Sequence, residues 1–220
     1  MVWWSPEDAQ AFLTWAEDNV DQGYTVAWRV ALATGMRRGE LLGLRRKDVD
    51  LDNQTIVVAR SITTIKSKGE RQYLTEGPTK NGRIHVVDID AETANRLHWF
   101  RLYRAGNLAI RLVNPDKIVV GDEEGAWRLP ESFSRTFRQQ LARFRRTQPA
   151  NQQIPAIHFH SMRHTHAVWL LKAGVHPKVV QERLGHETIG ITMDIYSHVM
   201  PSMGREAAAQ RGAMLYNQGS

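Results

Sequence analysis

Apolar residues recur at helical spacing near the start of the chain, at Ala9, Phe12, Leu13 and Ala16, and predict a first helix from Pro6 to about Asn19. Its start is well signalled. Ser5 is the N-cap, Pro6 takes the first helical position, and Glu7 and Asp8 face the positive end of the helix dipole. Tyr24 to Ala33 reads as a second helix, stopped by Thr34-Gly35. A third begins near Met36, buries Leu41, Leu42 and Leu44, and ends before RRKDVDLDNQT, whose Asp-Asn pair is turn chemistry.

From there the period changes from helical to alternating. TIVVARSITTIK is β-branched, RQYLTE is short and alternating, and GRIHVVDI alternates again, which predicts a three-stranded antiparallel sheet. TKNG is the tight turn before its last strand, with Asn81-Gly82 the strongest hairpin signal in the chain. Helix returns from Asp90 to about Leu112, DKIVVG is a brief strand or extended run, and Pro130 to about Arg145 is helix again. TQPANQQIP is a polar loop. Four helices follow: Ser161 to Ala173, Pro177 to Leu184 closed by Gly185, Thr188 to about Tyr196, and Pro201 to about Met214. With no internal repeat, low-complexity segment or interdomain linker, residues 1–220 read as a single domain, mostly α with a small three-stranded antiparallel β-sheet.

Composition adds the class of partner. Apolar residues make up 42% and charged residues 24%, close to globular averages, and no run approaches the roughly 18 apolar residues of a membrane span. The opening MVWWSPEDAQ lacks the features of a secretory signal and there is no cysteine, which favours a cytoplasmic setting. The net charge is +6, with a pI near 9.8, and it is clustered at Arg45, Arg46 and Lys47, at Lys66, Lys68, Arg71, Lys80 and Arg83, and between Phe137 and Arg146. Such a surface favours a polyphosphate partner, DNA or RNA, through release of condensed counterions, although each cluster is equally readable as a solvated helix face.

The stretch from His158 to Val199 holds seven of the nine histidines. His160 and His164 have the one-turn spacing of helical zinc ligands, but no carboxylate or cysteine accompanies them locally, which argues against a metal site. His160 and Arg163 are three apart on one helix face, so an imidazole and a guanidinium converge there. Arginine holds phosphate oxygens bidentately and histidine exchanges a proton near neutral pH. Arg37 follows a Thr-Gly break at a helix start, where free backbone amides also favour an anion.

Taken in order, T-G-M-R-R-G-E-L from Thr34, the turn lysine of TKNGR, H-x-x-R-H-T from His160, L-G-H from Leu184, and Tyr196 ten residues beyond His186 resemble the catalytic motifs of the tyrosine recombinase, or phage integrase, family. Members break and rejoin double-stranded DNA through a 3′-phosphotyrosyl link, without metal or nucleotide cofactor. The resemblance implies Tyr196 as nucleophile, Arg37 and Arg163 as the clamp on the non-bridging oxygens, and His186 on the same phosphate. It implies His160 as general base and Lys80 as general acid on a mobile hairpin, with Lys66 and Lys68 as rivals. Glu40 is expected to salt-bridge or orient Arg37, His164 to pack and hydrogen-bond, and His158, His166, His176 and His198 to lie at the surface or meet satisfied partners. Trp169, Leu170 and Leu171 are expected in the core.

The resemblance also implies a C-terminal tail, from Pro201, that docks on a neighbouring protomer. The expected form is a homotetramer on DNA and a monomer when free. Family members carry a core-binding and often an arm-binding domain before the catalytic one; this chain begins at the latter, which implies a fragment. Two alternatives stay open: a non-cutting DNA-binding module of the same fold, and a relative with a different outcome, such as a telomere resolvase or a type IB topoisomerase-like enzyme.

Overall fold

The computed structural model describes residues 2–65, 73–106, 114–122, 124–199, 211 and 215. Helix α1 (Pro6–Asn19) begins with a reciprocal capping box, Asp8 N donating to Ser5 Oγ at 3.1 Å and Ser5 N to Asp8 Oδ2 at 2.9 Å. Helix α2 (Gln22–Thr34) starts two residues before Tyr24, because Asp21 caps it through Gly23 N. It is apolar on most sides and runs through the interior, with Val26, Ala27, Trp28, Val30 and Ala31 all buried. Gly35, at φ 67°, ends it. Helix α3 (Arg38–Leu42) is shorter than the pattern suggested. Met36 is buried ahead of it, and Glu40 Oε2 accepts from Arg37 N to cap its first turn.

The β-rich region corrects the sequence reading. TIVVARSITTIK is not one strand but two, broken at Ala59-Arg60, where the Arg60 guanidinium turns to Asp48 and Glu76. Strands β1 (Val49–Asp50), β2 (Thr55–Val58) and β5 (His85–Asp88) form the three-stranded antiparallel sheet in the order β1-β2-β5, with Ile56 opposite Val87. Strands β3 (Ser61–Ile65) and β4 (Tyr73–Gly77) make a separate antiparallel pair. The turn around Asn81-Gly82 therefore lies in a crossover between two sheets rather than in a hairpin. β3 is drawn away by α3: a methyl group on Gly39 would lie 2.4 Å from Ser61 Oγ and 2.6 Å from Ile62 O, so glycine is what lets the strand cross the helix.

Helix α4 (Ala91–Ala105) stops at Gly106, φ 56°, short of the expected end; residues 107–113 lie outside the described set. DKIVVG, expected as a brief strand or extended run, is instead a succession of turns around a single bridge residue. It contributes one bridge, Ile118 to Arg45, and backbone bonds from Val119 N to Leu44 O and from Arg46 N to Lys117 O. Helix α5 (Pro130–Thr147) buries Phe133, Phe137, Leu141 and Phe144 on one stripe and exposes Arg135, Arg138, Arg143 and Arg146, while Arg145 donates to Ile154 O at 2.8 Å. Phe137 packs edge-on against Phe12, Trp28 and Phe159 at ring separations of 5.5–5.8 Å, at the centre of the main core.

Helices α6 (Ser161–Lys172), α7 (Pro177–Leu184) and α8 (Ile189–Val199) enclose a second, smaller core of Ala167, Val168, Leu171, Val180, Leu184 and Ile195. Trp169 and Leu170 are half-buried at the edges of the two cores rather than inside them. Lys66, Lys68 and, apart from Arg211, the helix expected from Pro201 to about Met214 lie outside the described residues. Among the described residues no helix is long and apolar enough to cross a membrane.

Candidate active site

Two helix C-termini face one another across the seam between the cores, and arginines occupy the space between them. Helix α7 ends in a Schellman motif: His186 N donates to Gln181 O and Gly185 N to Glu182 O, both at 3.0 Å, with Gly185 at φ 59°. Such an end leaves carbonyls without partners in the helix, at the negative pole of its dipole. Arg163, on the first turn of α6, satisfies two ends at once. Its Nη1 donates to Gly35 O just past α2 at 2.8 Å, and its Nη2 to Leu184 O at 2.5 Å. Arg37 Nη2 donates to Gly185 O at 2.9 Å, while its Nη1 pairs with Glu40 Oε1 at 2.9 Å.

The arginines differ in setting. Arg163 is only 5% exposed, and burial, followed by repulsion from Arg37, pulls its pKa down to about 10, so it stays charged at neutral pH. Glu40 is 2% exposed and its carboxylate meets both the side chain and the backbone N–H of Arg37, which is an orienting contact. Two guanidiniums on adjacent carbonyls, with one carboxylate paired to Arg37, leave a surplus of positive charge that an anion would neutralise.

His186 leaves the α7 cap with its Nδ1 2.9 Å from Thr192 Oγ1. Thr192 is fully buried on α8, and Tyr196 is one turn further along that helix, on the same face and packed at the edge of the second core. His186, Thr192 and Tyr196 thus form a short series from the arginine clamp to the phenol. Burial, then Arg163 and Arg37, push the His186 pKa down to about 4, so the ring is neutral at pH 7.

His160 occupies the N-cap position of α6 and is exposed at the cleft, its ring edge-on to that of His164 at 5.1 Å. Desolvation first, then His164 and Arg163, lower its pKa below the usual value, as a neutral imidazole able to accept a proton requires. An open cleft of about 730 Å³ is lined by His160, Arg37, Arg38 and Lys80. Lys80 is exposed, in the crossover turn, and that turn is tied to the clamp by Asn81 Nδ2 donating to Gly185 O at 3.1 Å.

The remaining histidines diverge. His166 points away from the cleft, its Nδ1 2.8 Å from Leu32 O and its Nε2 accepting from Arg183 Nε at 3.1 Å. Because a carbonyl only accepts, Nδ1 carries the proton, and the ring is a fully satisfied internal partner. His176 is a helix N-cap, accepting from Lys178 N. Among the described residues no group of three or more metal-ligating side chains converges. Sequence reasoning missed Thr192, Asn81 and Arg183. Gly185 was legible as a helix stop, but the use of its carbonyl as a shared acceptor was not.

The model of the phage integrase family matches residues 3–203. A XerC-like tyrosine recombinase of Caldanaerobacter subterraneus subsp. tengcongensis is 33% identical over 81% of the chain and 46% of its own length. The ICEBs1 integrase of Bacillus subtilis is 25% identical over 94% of the chain and 53% of its own length. The chain spans about half the length of these curated relatives. Among solved structures, the Tn1549 transposon integrase bound to transposon right end DNA superposes with a TM-score of 0.76 at 24% identity, covering 95% of the chain and 65% of that protein. The catalytic domain of bacteriophage HP1 integrase shares the fold over 99% of the chain and 95% of its own, with a TM-score of 0.59 and 21% identity.

Proposed function

The chain belongs to the phage integrase family, and we propose that it is the catalytic domain of a site-specific DNA recombinase that cleaves and rejoins strands through a phosphotyrosyl intermediate. The observation that carries this reading is the convergence of Arg37 and Arg163 on the facing ends of α2 and α7, with His186 linked through Thr192 to the helix of Tyr196.

In this reading the scissile phosphate takes its place between the two guanidiniums, whose remaining N–H donors hold its non-bridging oxygens and offset the charge that grows in the pentacoordinate transition state. The Tyr196 oxygen attacks phosphorus and its proton passes to His160. A phenol with a pKa near 10 is scarcely ionised at pH 7 and needs such an acceptor. The bond from phosphorus to the 5′ oxygen breaks, and Lys80 protonates that oxygen as it leaves. His186 donates to the phosphate once the anion draws a proton onto its ring. Rejoining runs the same steps backwards with a new 5′ hydroxyl, so no energy source beyond the phosphotyrosyl bond is consumed. We further propose that the working form is a homotetramer on double-stranded DNA, joined through the residues after Met200, that the free chain is monomeric, and that it acts in the cytoplasm.

A nicked suicide substrate tests the reading. Wild-type protein is expected to form a covalent adduct on a denaturing gel, and Tyr196→Phe to form none while binding DNA with nearly unchanged affinity. An adduct that persists in the Phe variant would assign the nucleophile to another residue.

A further inference from the structure

The turn that carries Lys80 is closed on itself. Gly82 N donates to Thr79 O at 2.8 Å, Thr79 Oγ1 donates to Arg83 O at 2.7 Å, and Thr79 is buried. Lys80 and Asn81 are therefore the central residues of a four-residue turn that moves as one piece. The Asn-Gly pair suggests a turn in which asparagine takes a positive φ, yet only Gly82 has one here, at 65°. Asparagine is thus not required at position 81 by the backbone.

Its side chain instead reaches across the molecule to Gly185 O, the same acceptor that Arg37 Nη2 uses. One carbonyl oxygen with two lone pairs joins the lysine turn to the arginine clamp. The turn straddles Arg37: Lys80 lines the cleft on the His160 side, and Asn81 lines the adjoining hollow beside Gly185 and His186.

We propose that Asn81 is the positioning residue for the general acid, its bond to Gly185 fixing where the Lys80 ammonium stands relative to the phosphate. The inference rests on the recombinase reading above. In the step concerned, the Tyr196 oxygen bonds to phosphorus, the electron pair of the breaking P–O bond goes to the 5′ oxygen, and a proton passes from Lys80 Nζ to that oxygen. Lysine has a long, flexible stem, so the place of its turn decides whether the proton arrives. A turn displaced by about 1 Å leaves the clamp in place and withdraws the acid.

The test compares an ordinary duplex with one in which sulfur replaces the bridging 5′ oxygen, since a thiolate leaves without protonation. Asn81→Ala and Asn81→Asp, the latter equal in size but unable to donate to a carbonyl, are expected to slow adduct formation on the oxygen substrate by about ten- to a hundredfold. Both should recover on the sulfur substrate, as Lys80→Ala should. Equal slowing on the two substrates would place Asn81 in folding or in the clamp and overturn the proposal, as would wild-type rates on both. Wild type and Lys80→Ala carry the underlying reading separately: absence of a wild-type adduct, or failure of sulfur to rescue Lys80→Ala, defeats that reading. Rescue of Lys80→Ala without rescue of the Asn81 variants defeats only the positioning role.

Discussion

His186 and Thr192 meet across the short link between α7 and α8, imidazole Nδ1 to hydroxyl oxygen at 2.9 Å, so the histidine beside the arginine clamp is bonded to the helix that carries Tyr196. Thr192→Val removes the hydroxyl at nearly constant volume. It is expected to slow adduct formation about three- to tenfold, the worth of one hydrogen bond, while Thr192→Ser keeps the rate. Single-turnover cleavage measures both, and a Ser variant as slow as Val would show that packing, not the bond, matters.

Glu40 is buried with two donors from Arg37 on its carboxylate. Replacing it by glutamine sets an amide N–H against one of them and leaves a half-buried guanidinium without its counter-ion. The expected cost is about 3 kcal/mol in urea unfolding, with cleavage lost in the fraction that remains folded. Stability within 1 kcal/mol, roughly the effect of an ordinary surface change, would mean that Arg37 does not depend on this partner.

Gly35 and Gly82 have nearly the same backbone conformation, φ 67° and 65°, in opposite surroundings. A methyl group on Gly35 would lie 2.4 Å from Leu184 Cδ2 and 2.9 Å from His166 Cδ2, whereas nothing lies within 4 Å at Gly82. Gly82→Ala is expected to cost about 1 kcal/mol, from the conformation alone. Gly35→Ala should cost about 3 kcal/mol or more, because it also forces α7 away from the clamp. Chemical denaturation of the two variants side by side tests the difference.

His166 is 5% exposed, and burial, then Arg183, depress its pKa from 6.5 to about 4. Its neighbours are the Leu32 carbonyl, the Arg183 guanidinium and, further off, Arg163. The unfolded chain binds the proton more readily, so the contribution is complete above about pH 6.5 and is lost as pH falls towards 4, about 3 kcal/mol in all. His186 titrates over the same window. Unfolding free energy measured from pH 7 to pH 4 should fall steeply, and His166→Leu should be weaker at pH 7 but lie on a shallower slope.

The helical frame and the order of the site residues were legible because each rests on a local signal: the Ser5 cap, the glycines after α2 and α7, the i, i+3 spacing of His160 and Arg163. The sheet pairing was not. Nothing in TIVVARSITTIK marks the break at Ala59-Arg60, since it is imposed from outside, by Gly39 beneath β3 and by the carboxylates that attract Arg60. The same limit hid Thr192 and Asn81, ordinary polar residues whose partners lie at a helix end brought close only by folding. Lys80 was singled out by its motif, but its setting was misjudged, because an Asn-Gly pair signals a turn without saying which strands the turn connects.

Arg37 and Gly185 are 148 residues apart, and Arg163 and Gly35 are 128 apart. A chain emerging from the ribosome therefore makes the first arginine long before it makes the carbonyl that orients it: 148 residues at roughly 5–20 residues per second is a delay of roughly 7–30 s. During that interval α1, α2 and the sheets can begin to condense, but no pair of guanidiniums stands ready to grip a phosphate. On the proposed reading, the capacity to cut DNA is in this way withheld from the nascent chain and arises only when the last helices close over the first.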